Sequence, residues 1–254
     1  MNSYSSKVTP VILAGGKGTR LKSVVGDRPK VLAEIVGRPF ITYLLDQLIE
    51  SGFKSVVLCT GYKAEMVEKT IGATYKSMKV SYSVENHPLG TFGAIAKASE
   101  LIQVENIIAM NGDSYISTPL SKFMDWGLNN RIKAGILLTR VNNASRYGQV
   151  EVDAKGHILS FREKEVSSKP GLINAGIYIL SLSTIQRFNN SSSQHLNSSS
   201  VKRLSISAPC SIEKEVFPSL AKSGDLHGYP VEADFIDIGT PDSYKKAKEF
   251  FVCR

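Results

Sequence analysis

The chain has 254 residues and a formal net charge of +8, with 42% hydrophobic and 21% charged residues, a balance typical of a globular protein with one large α/β domain. No apolar run approaches the roughly 20 residues that span a bilayer. The first residues lack the apolar core of a secretory signal. The three cysteines have no metal-binding or disulfide spacing. We therefore expect a cytoplasmic protein with no membrane contact, and because its Lys and Arg residues are dispersed, the positive charge favours a small polyanionic substrate over nucleic acid.

The first half of the chain alternates predicted strands with predicted helices. Short apolar runs at residues 11–14, 56–59, 80–84 and 106–110 predict strands. Apolar residues spaced for one helical face predict the connecting helices. These helices are expected between Pro39 and Gly52, at residues 64–71 and at residues 93–101. This rhythm predicts a parallel sheet with right-handed crossovers.

The second half of the chain is richer in strands. Strands separated by turns are predicted at residues 134–140, 148–152, 157–161 and 173–180. We expect a mixed sheet or a small β-rich lid over the first half. A helix at residues 211–220, short strands at residues 226–229 and 235–238, and a helix from Pro241 complete the chain. The last helix presents Tyr244, Ala247 and Phe251 on one face, which we expect to pack on the first sheet.

The polar run of Ser and Asn at residues 189–200 cannot bury enough surface to offset the entropy of ordering it. We expect a flexible surface loop, with a specificity lid or a partner contact as the alternative. No internal repeat is found, and in particular no hexapeptide array.

The glycine-rich stretch after the first strand carries the first functional signal. Three glycines, Gly15, Gly16 and Gly18, interrupt the apolar run at residues 11–14. Glycine lets a polyanion lie against backbone N–H groups, and nearby cations neutralise a triphosphate. An ordinary glycine-rich turn is the alternative. The basic residues of this stretch are Lys17, Arg20 and Lys30.

The full string from Leu13 to Leu21, followed by Pro29 and Lys30, resembles the L-A-G-G-x-G-T-R-L…P-K signature of the sugar-1-phosphate nucleotidyltransferases. It has neither the Walker form nor the dinucleotide form G-x-G-x-x-G. The resemblance extends from Val11 to about Phe251. It implies a single α/β domain over residues 1–254, with a Rossmann-like, mostly parallel central sheet flanked by helices and a smaller β-rich sugar-binding portion.

Within that domain the resemblance implies a nucleotide half at about residues 8–130, a sugar-phosphate half at about 131–240 and a C-terminal helix at 241–253. It assigns nucleotide binding to Leu13, Ala14, Gly15, Gly16, Gly18, Thr19, Glu85, Asn86, Leu89, Gly90 and Thr91. Glu85 lies in the stretch that meets the base in relatives, where a carboxylate accepts from the N1 and amine hydrogens of guanine. Asn86 is the alternative for that contact.

Asp113, in Asn111-Gly112-Asp113 after the fourth strand, is a candidate ligand of magnesium. Mg²⁺ uses one or two protein carboxylates and takes its other oxygens from phosphates and water. Local sequence alone leaves a turn cap equally open, whereas the resemblance assigns Asp113 to the metal. It also implies Asp237 as the second ligand, with a turn-capping Asp237 as the alternative. Arg20 and Lys30 complete the implied catalytic set.

The sugar-phosphate site is implied by a third series of motifs. It comprises Tyr147 and Gly148, then Glu163 and Lys164, then Asn174. Lys164 supplies a point charge for a phosphate, while the carboxylate of Glu163 and the amide of Asn174 form hydrogen bonds with ring hydroxyls. A surface ion pair is the alternative for Glu163 and Lys164, and a role in a turn is the alternative for Asn174.

The implied reaction is attack by a sugar 1-phosphate oxygen on the α-phosphorus of a nucleoside triphosphate, with pyrophosphate leaving. Positioning and charge stabilisation dominate such chemistry, so neither a covalent intermediate nor a dedicated general base is expected. Mg²⁺ is the expected cofactor and the two small molecules are the expected partners. The oligomeric state is open, a homo-oligomer included.

Within the family, Ser-Arg-Tyr-Gly and Phe-Ile-Asp-Ile-Gly-Thr-Pro are most similar to D-glycero-D-manno-heptose 1-phosphate guanylyltransferases of bacterial surface-polysaccharide synthesis. Phe92 departs from the usual Pro-Leu-Gly-Thr-Gly-Gly and puts bulk beside the nucleotide turn. Glucose, mannose or choline phosphate nucleotidyltransferases using another base remain alternatives. A catalytically silent nucleotide-sugar sensor is the alternative from another class.

Overall fold

The computed structural model describes residue 4 and residues 6–162, 169–190 and 209–252. The strands are β1 (Val8–Leu13), β2 (Glu34–Ile35), β3 (Arg38–Pro39), β4 (Ser55–Thr60), β5 (Thr74–Tyr75), β6 (Met78–Val84), β7 (Asn106–Asn111), β8 (Ser114–Ile116), β9 (Ala134–Val141), β10 (Gln149–Val152), β11 (Ile158–Arg162), β12 (Gly171–Ser181), β13 (Leu226–Val231) and β14 (Phe235–Asp237). The α-helices are α1 (Lys22–Val25), α2 (Ile41–Glu50), α3 (Ala64–Ile71), α4 (Gly90–Ser99), α5 (Leu120–Asn129), α6 (Leu182–Asn190), α7 (Phe217–Lys222) and α8 (Pro241–Val252). Short 3₁₀ turns lie at Thr19–Leu21 and Lys30–Leu32, and a π-helical turn lies at Ile212–Val216.

The first half of the chain builds the parallel part of the main sheet. Strands β1, β4, β6 and β7 run parallel to one another, because α2, α3 and α4 return the chain to the same end of the sheet after each strand. Their inner positions are apolar on both faces: Val11 and Ile12 of β1 are fully buried in opposite core clusters. This is the sequence pattern of a central strand covered on both sides.

The second half of the chain extends the same sheet instead of forming a separate lid. The strand order is β11-β10-β12-β7-β1-β4-β6-β5, with β9 paired to β12 and β13 paired to β9. Strand β12 is antiparallel to β7, with Ile177 opposite Met110, whereas β13 is parallel to β9. The sheet is therefore mixed, and the expected α/β fold with a β-rich second portion is confirmed.

Helices cover both faces of this sheet. The cluster on one face holds the apolar sides of α2, α3, α5 and α8, and the other holds those of α4, α6 and α7. Helices α5 and α6 were not predicted. Helix α5 contains Trp126 and Gly127, which are weak helix formers, and its apolar face is stabilised by tertiary packing.

The C-terminal helix α8 packs as expected. Tyr244 and Ala247 are buried in the core, and the Tyr244 hydroxyl donates to the carbonyl oxygen of Glu34 at 2.6 Å. The ring of Phe251 stacks on Tyr43 with centroids 3.9 Å apart. These contacts bind the end of the chain to its first half. Within the described residues, no helix has the length and apolarity needed to cross a membrane.

Candidate active site

A large cavity lies where the parallel strands of the main sheet end. Its volume is about 1360 Å³, and its walls include Gly15 and Gly16 after β1, Glu85 after β6 and Asp113 after β7. Parallel strands place their carboxyl ends at one edge of a sheet, and open α/β folds bind their ligands there. The three segments that the sequence singled out therefore converge on one cavity.

The glycine loop after β1 is shaped by contact with Lys30. Gly18 has a left-handed φ of 59°, and a Cβ at this position would lie 2.8 Å from the Cβ of Lys30. Only glycine satisfies both the backbone conformation and the close approach. The loop also brings the basic side chains of Lys17 and Arg20 to the cavity wall, where they can meet an anion.

The predicted nucleotide-binding residues divide into two groups. Those that line the cavity are Leu13, Gly15, Gly16, Glu85, Asn86, Gly90 and Thr91. The other four do not line it: Ala14 and Leu89 are buried, Gly18 packs against Lys30, and Thr19 begins a 3₁₀ turn. The four non-lining residues shape the loops that carry the lining ones.

Lys30 and Asp113 form an ion pair at the floor of the cavity. Lys30 is 9% exposed, and the second oxygen of Asp113 accepts from the Ser114 hydroxyl at 3.1 Å. Desolvation acts to raise the pKa of Asp113, but the charge and hydrogen bond of Lys30 hold that pKa below its ordinary value. Asp113 is therefore a carboxylate that stays ionised at neutral pH.

Asp237 reaches the same cavity from the far end of the chain. Strand β14 pairs with β8 and puts Asp237 opposite Ser114. The Asp237 side chain accepts from the Gly239 N–H at 2.6 Å and from the Ser243 hydroxyl at 3.0 Å. The turn-capping contact that the sequence offered as an alternative is thus present, and it coexists with a position on the cavity wall.

Arg146 and Tyr147 hold the other side of Asp237. Both carboxylate oxygens lie 3.2 Å from Nη2 of Arg146, and the Tyr147 hydroxyl donates to Oδ2 at 2.7 Å. Burial, followed by the charge of Asp237, raises the pKa of Tyr147, so its hydroxyl remains a donor. Asp237 is 8% exposed and is held by four different residues.

Three of the five predicted sugar-phosphate residues belong to the described part of the chain and share the cavity with Glu85. Tyr147, Gly148 and Asn174 line the cavity. Asn174 lies at an irregularity of β12 and donates to the Tyr178 hydroxyl at 3.0 Å. Glu163 and Lys164 lie outside the described residues, so their predicted roles stay predictions.

The nucleotide turn before α4 is held by the segment that precedes the π-helical turn. Gly90 has a φ of 76°, and a Cβ there would lie 2.3 Å from the carbonyl oxygen of Cys210. Two backbone hydrogen bonds join the segments. The N–H of Cys210 donates to the carbonyl oxygen of Leu89 at 2.8 Å, and the N–H of Phe92 donates to the carbonyl oxygen of Cys210 at 2.9 Å. Phe92 is buried in the core, so its bulk does not enter the cavity.

Glu85 lies at the opposite end of this turn. Its Oε2 accepts from the backbone N–H of Leu89 at 3.0 Å. Burial raises the pKa of Glu85, and the Leu89 hydrogen bond lowers it by less. One oxygen is thus used to shape the turn, while Oε1 lies toward Gly15, where an added Cβ would be 3.1 Å from it.

Arg146 and Glu213 were not predicted from the sequence, and both line the cavity. Arg146 immediately precedes the predicted Tyr147, so its motif Ser-Arg-Tyr-Gly was a usable signal. Glu213 had none, because its contact with Thr91 joins residues 122 positions apart and an acid at a helix start is common. In the described part of the chain no group of three or more His, Cys, Asp or Glu side chains is arranged to hold a metal ion, so any metal at Asp113 and Asp237 would have at most these two carboxylates.

Comparisons with known proteins agree with this geometry. Residues 9–252 match the nucleotidyl transferase family. The chain is 34% identical to a D-glycero-α-D-manno-heptose 1-phosphate guanylyltransferase of Aneurinibacillus thermoaerophilus, over 94% of this chain and 96% of the relative. It is 31% identical to a mannose-1-phosphate guanylyltransferase of Mycobacterium tuberculosis, over 97% of this chain and 65% of the relative.

A solved structure is similar as well. The crystal structure of HddC from Yersinia pseudotuberculosis complexed with GMP-PN superposes with a TM-score of 0.77 and 34% identity, and it covers 96% of this chain and 99% of that one. Both the motifs and the fold point to one conclusion: the chain belongs to the nucleotidyl transferase family.

Proposed function

We propose that this protein transfers GMP from GTP to a sugar 1-phosphate, with D-glycero-α-D-manno-heptose 1-phosphate as the preferred acceptor, and releases pyrophosphate. One observation carries the proposal. The glycine loop after β1, the turn around Glu85 and Gly90, and Tyr147 line a single cavity together with Lys30, Asp113 and Asp237. Such a cavity has room for two anionic substrates side by side. The names of the full-length relatives and the nucleotide analogue held by a homologous structure support guanine and heptose.

The chain's own residues supply charge and position. Arg20 and Lys17 lie on the loop that a triphosphate would follow, and Lys30 is held in place by its pair with Asp113. A sugar phosphate oxygen attacks the α-phosphorus while the bond to pyrophosphate breaks, so negative charge grows on the leaving group. Preorganised cations stabilise that charge without moving during the reaction. No group needs to remove a proton, because a phosphate monoester is already ionised at neutral pH.

Magnesium fits the donor set of the cavity. Hard oxygen ligands from one or two carboxylates are what Mg²⁺ uses beside substrate phosphates. Asp113 is the more available ligand, because its Oδ1 accepts only from Ser114 in the described structure, whereas Asp237 is held by four residues. We assign the ion to Asp113 and Asp237. When bound, it would offset the repulsion between the two phosphate groups.

The product of this step is an activated sugar donor. Its expected use is glycosyl transfer into a bacterial surface polysaccharide, and its expected place is the cytoplasm, where GTP is available. Mannose 1-phosphate is the second candidate acceptor, because a mannose-1-phosphate guanylyltransferase is also similar to this chain.

The test is a matrix of pyrophosphate release. The purified protein is incubated with each of GTP, ATP, CTP and UTP against heptose, mannose, glucose and galactose 1-phosphates. We expect the highest kcat/KM for GTP with the heptose 1-phosphate, and the second highest with mannose 1-phosphate. Preference for another triphosphate would overturn the guanine assignment. Nucleotide binding without turnover in any pairing would identify a sensor instead of an enzyme.

A further inference from the structure

Glu213 places a carboxylate in the active-site cavity that none of the roles above uses. It lies in the π-helical turn Ile212–Val216, a local irregularity that often accompanies function. Its Oε2 accepts from the Thr91 hydroxyl at 2.8 Å and from the Ser211 hydroxyl at 2.9 Å. Its Oε1 has one contact, the Tyr178 hydroxyl at 3.4 Å.

Within the described structure, the charge of Glu213 has no cation to offset it. Asp113 and Asp237 on the cavity wall each have a cationic partner, whereas Glu85, like Glu213, has none among the ion pairs of the described residues. None of the ion pairs in the described ranges of the chain involves Glu213. A carboxylate without a cation repels the phosphates for which the cavity is built, and neutral hydroxyl donors are therefore its favourable partners. All three of its present side-chain partners are hydroxyl groups.

The two oxygens of Glu213 have different tasks. Oε2 is saturated by two short hydrogen bonds, and Thr91 itself accepts from the Ile212 N–H at 2.8 Å, so this oxygen fastens the π-helical turn to the nucleotide turn. Among the described residues, Oε1 is held only by the Tyr178 contact at 3.4 Å, well beyond the usual O–H···O distance of about 2.7 Å. That oxygen retains the capacity to accept a shorter bond from a ligand.

The position of Glu213 selects which ligand it meets. Tyr178 belongs to β12 and Glu85 follows β6, and strands β7, β1 and β4 lie between these two. Adjacent strands are about 4.8 Å apart, so the Tyr178 hydroxyl beside Oε1 is separated from Glu85 by several strands, whereas Oε2 meets Thr91 of the nucleotide turn. The Tyr178 hydroxyl also accepts from Asn174, which the sequence places in the sugar site. Glu213 thus lies between the nucleotide turn and the sugar side of the cavity, with Oε1 on the sugar side.

We infer that Oε1 of Glu213 accepts a hydrogen bond from a ring hydroxyl of the sugar 1-phosphate and makes this residue a determinant of sugar specificity. The inference rests on the proposed function, because it needs a hydroxyl-bearing acceptor at the Asn174 wall. A bond from a neutral hydroxyl to a carboxylate is charge-assisted, and a site built around it rejects an analogue that lacks the hydroxyl.

A purely structural role is the competing explanation, since acids in the first turn stabilise a helix. Glu215 provides the matched comparison. It lies in the same turn, is exposed, and its Oε1 accepts from the Ser211 N–H at 2.9 Å. Replacing either acid by glutamine removes one charge from the same turn, but only Glu213 lines the cavity.

The Glu213→Gln variant separates the two tasks of the side chain. Two hydroxyl groups donate to Oε2, so in the variant the amide oxygen of Gln occupies the position of Oε2. The amide NH₂ then occupies the position of Oε1. The clamp to Thr91 is kept, while the acceptor toward the sugar becomes a donor.

The experiment measures kcat/KM with GTP for mannose 1-phosphate and for its 2-, 3-, 4- and 6-deoxy analogues, using wild type, Glu213→Gln and Glu215→Gln. In wild type we expect the loss of one particular hydroxyl to lower kcat/KM about tenfold or more, the range of a hydrogen bond to a charged group. The deoxy ratio is kcat/KM for mannose 1-phosphate divided by kcat/KM for the deoxy analogue. In Glu213→Gln this ratio falls to about one for that hydroxyl, and the KM for GTP changes little. Glu215→Gln keeps the wild-type deoxy ratios.

The inference would be overturned if Glu213→Gln kept the wild-type deoxy ratios. It would also be overturned if Glu215→Gln lowered the same ratio by as much as Glu213→Gln does. If Glu213→Gln lowers the melting temperature, Glu213→Asp must give the same collapse of that one ratio, because it keeps the charge but withdraws the carboxylate. A wild type that uses no sugar 1-phosphate with any triphosphate would instead refute the proposed function, and the inference with it.

Discussion

The backbone N–H of Ile238 donates to the carbonyl oxygen of Asp113 at 2.8 Å, beside the antiparallel pair of Asp237 and Ser114. This contact joins the end of the parallel sheet to a segment from the last part of the chain. Because the backbone fixes the two segments, the carboxylates of Asp113 and Asp237 share one cavity without depending on flexible side chains.

Replacing either carboxylate tests the proposed magnesium site. Asp113→Asn and Asp237→Asn keep the shape of the side chain and remove its charge. If both bind Mg²⁺, each variant should still bind GTP weakly but need far more Mg²⁺ for half-maximal turnover, because a metal ligand is lost. The measurement is the rate of pyrophosphate release against Mg²⁺ concentration.

Asp242→Asn is the matched control for those two variants. Asp242 also lines the cavity, at the start of α8, so its replacement changes the local charge by the same amount. A wild-type Mg²⁺ dependence in Asp113→Asn or Asp237→Asn removes that residue from the ligand set. An equal shift in Asp242→Asn would indicate a general charge effect instead.

Arg20 and Lys30 should differ in what their removal does. Arg20 is exposed, so Arg20→Ala should lower turnover on the order of a hundredfold, the usual effect of one lost transition-state contact of about 3 kcal/mol, at an unchanged melting temperature. Lys30 is buried against Gly18 and paired with Asp113. Lys30→Ala should therefore lower both turnover and the melting temperature, because it leaves a carboxylate unpaired.

Single-turnover rates and thermal melts of the two variants check this pair of expectations. The two residues differ in burial although both belong to the basic stretch after β1, because Lys30 is only 9% exposed. Turnover at the wild-type rate in a folded Arg20→Ala protein would exclude Arg20 from the mechanism.

The sequence was most informative where function depends on a short continuous stretch. The glycine loop and Asn111-Gly112-Asp113 each follow a buried strand, so local pattern located both of them at the sheet edge. The signal was weaker for Asp237, whose proximity to Asp113 depends on pairing between β8 and β14, and local sequence does not encode such long-range pairing.

The contacts of Glu213 and Cys210 show the same limit more strongly. Cys210 holds the nucleotide turn through its backbone, and backbone donors and acceptors are the same for every residue type except proline, so the identity of Cys210 did not announce its contact. Glu213 holds the turn through a carboxylate that accepts from the Thr91 hydroxyl, but an acid at a helix start is too common to announce that contact. Helix α5 was missed for a related reason, since tertiary packing overrides its weak local propensity.

Glu85 should set the preference for guanine. If its Oε1 accepts from the N1 and amine hydrogens of the base, wild type should prefer GTP over ITP, which lacks the amine, by about tenfold, the usual value of such a bond. Glu85→Gln retains an oxygen for the Leu89 N–H and presents an amide NH₂ to the base. It should lose the preference without losing the turn, whereas Asn86→Ala should keep it.

The same assignment gives a pH dependence. Burial raises the pKa of Glu85, and only the ionised form accepts both hydrogens. The GTP preference over ITP should therefore be complete above the raised pKa and decline as the pH falls through it, at a higher pH than for an exposed Glu. If the preference for GTP over ITP is the same in Glu85→Gln as in wild type, Glu85 has no role in base recognition.

The contact between Gly90 and Cys210 should appear in stability measurements. A methyl group on Gly90 would lie 2.3 Å from a backbone oxygen that has no freedom to rotate away, whereas Gly224, with a similar φ of 74°, has nothing within 4 Å of a Cβ position. Both Gly→Ala variants incur the strain of a left-handed alanine, but only Gly90→Ala adds a collision. We expect Gly90→Ala to lose about 1 to 3 kcal/mol more unfolding free energy than Gly224→Ala, the usual range for overpacking. Urea denaturation of the two variants gives the difference directly, and equal losses would mean that Cys210 does not rest on the nucleotide turn in solution.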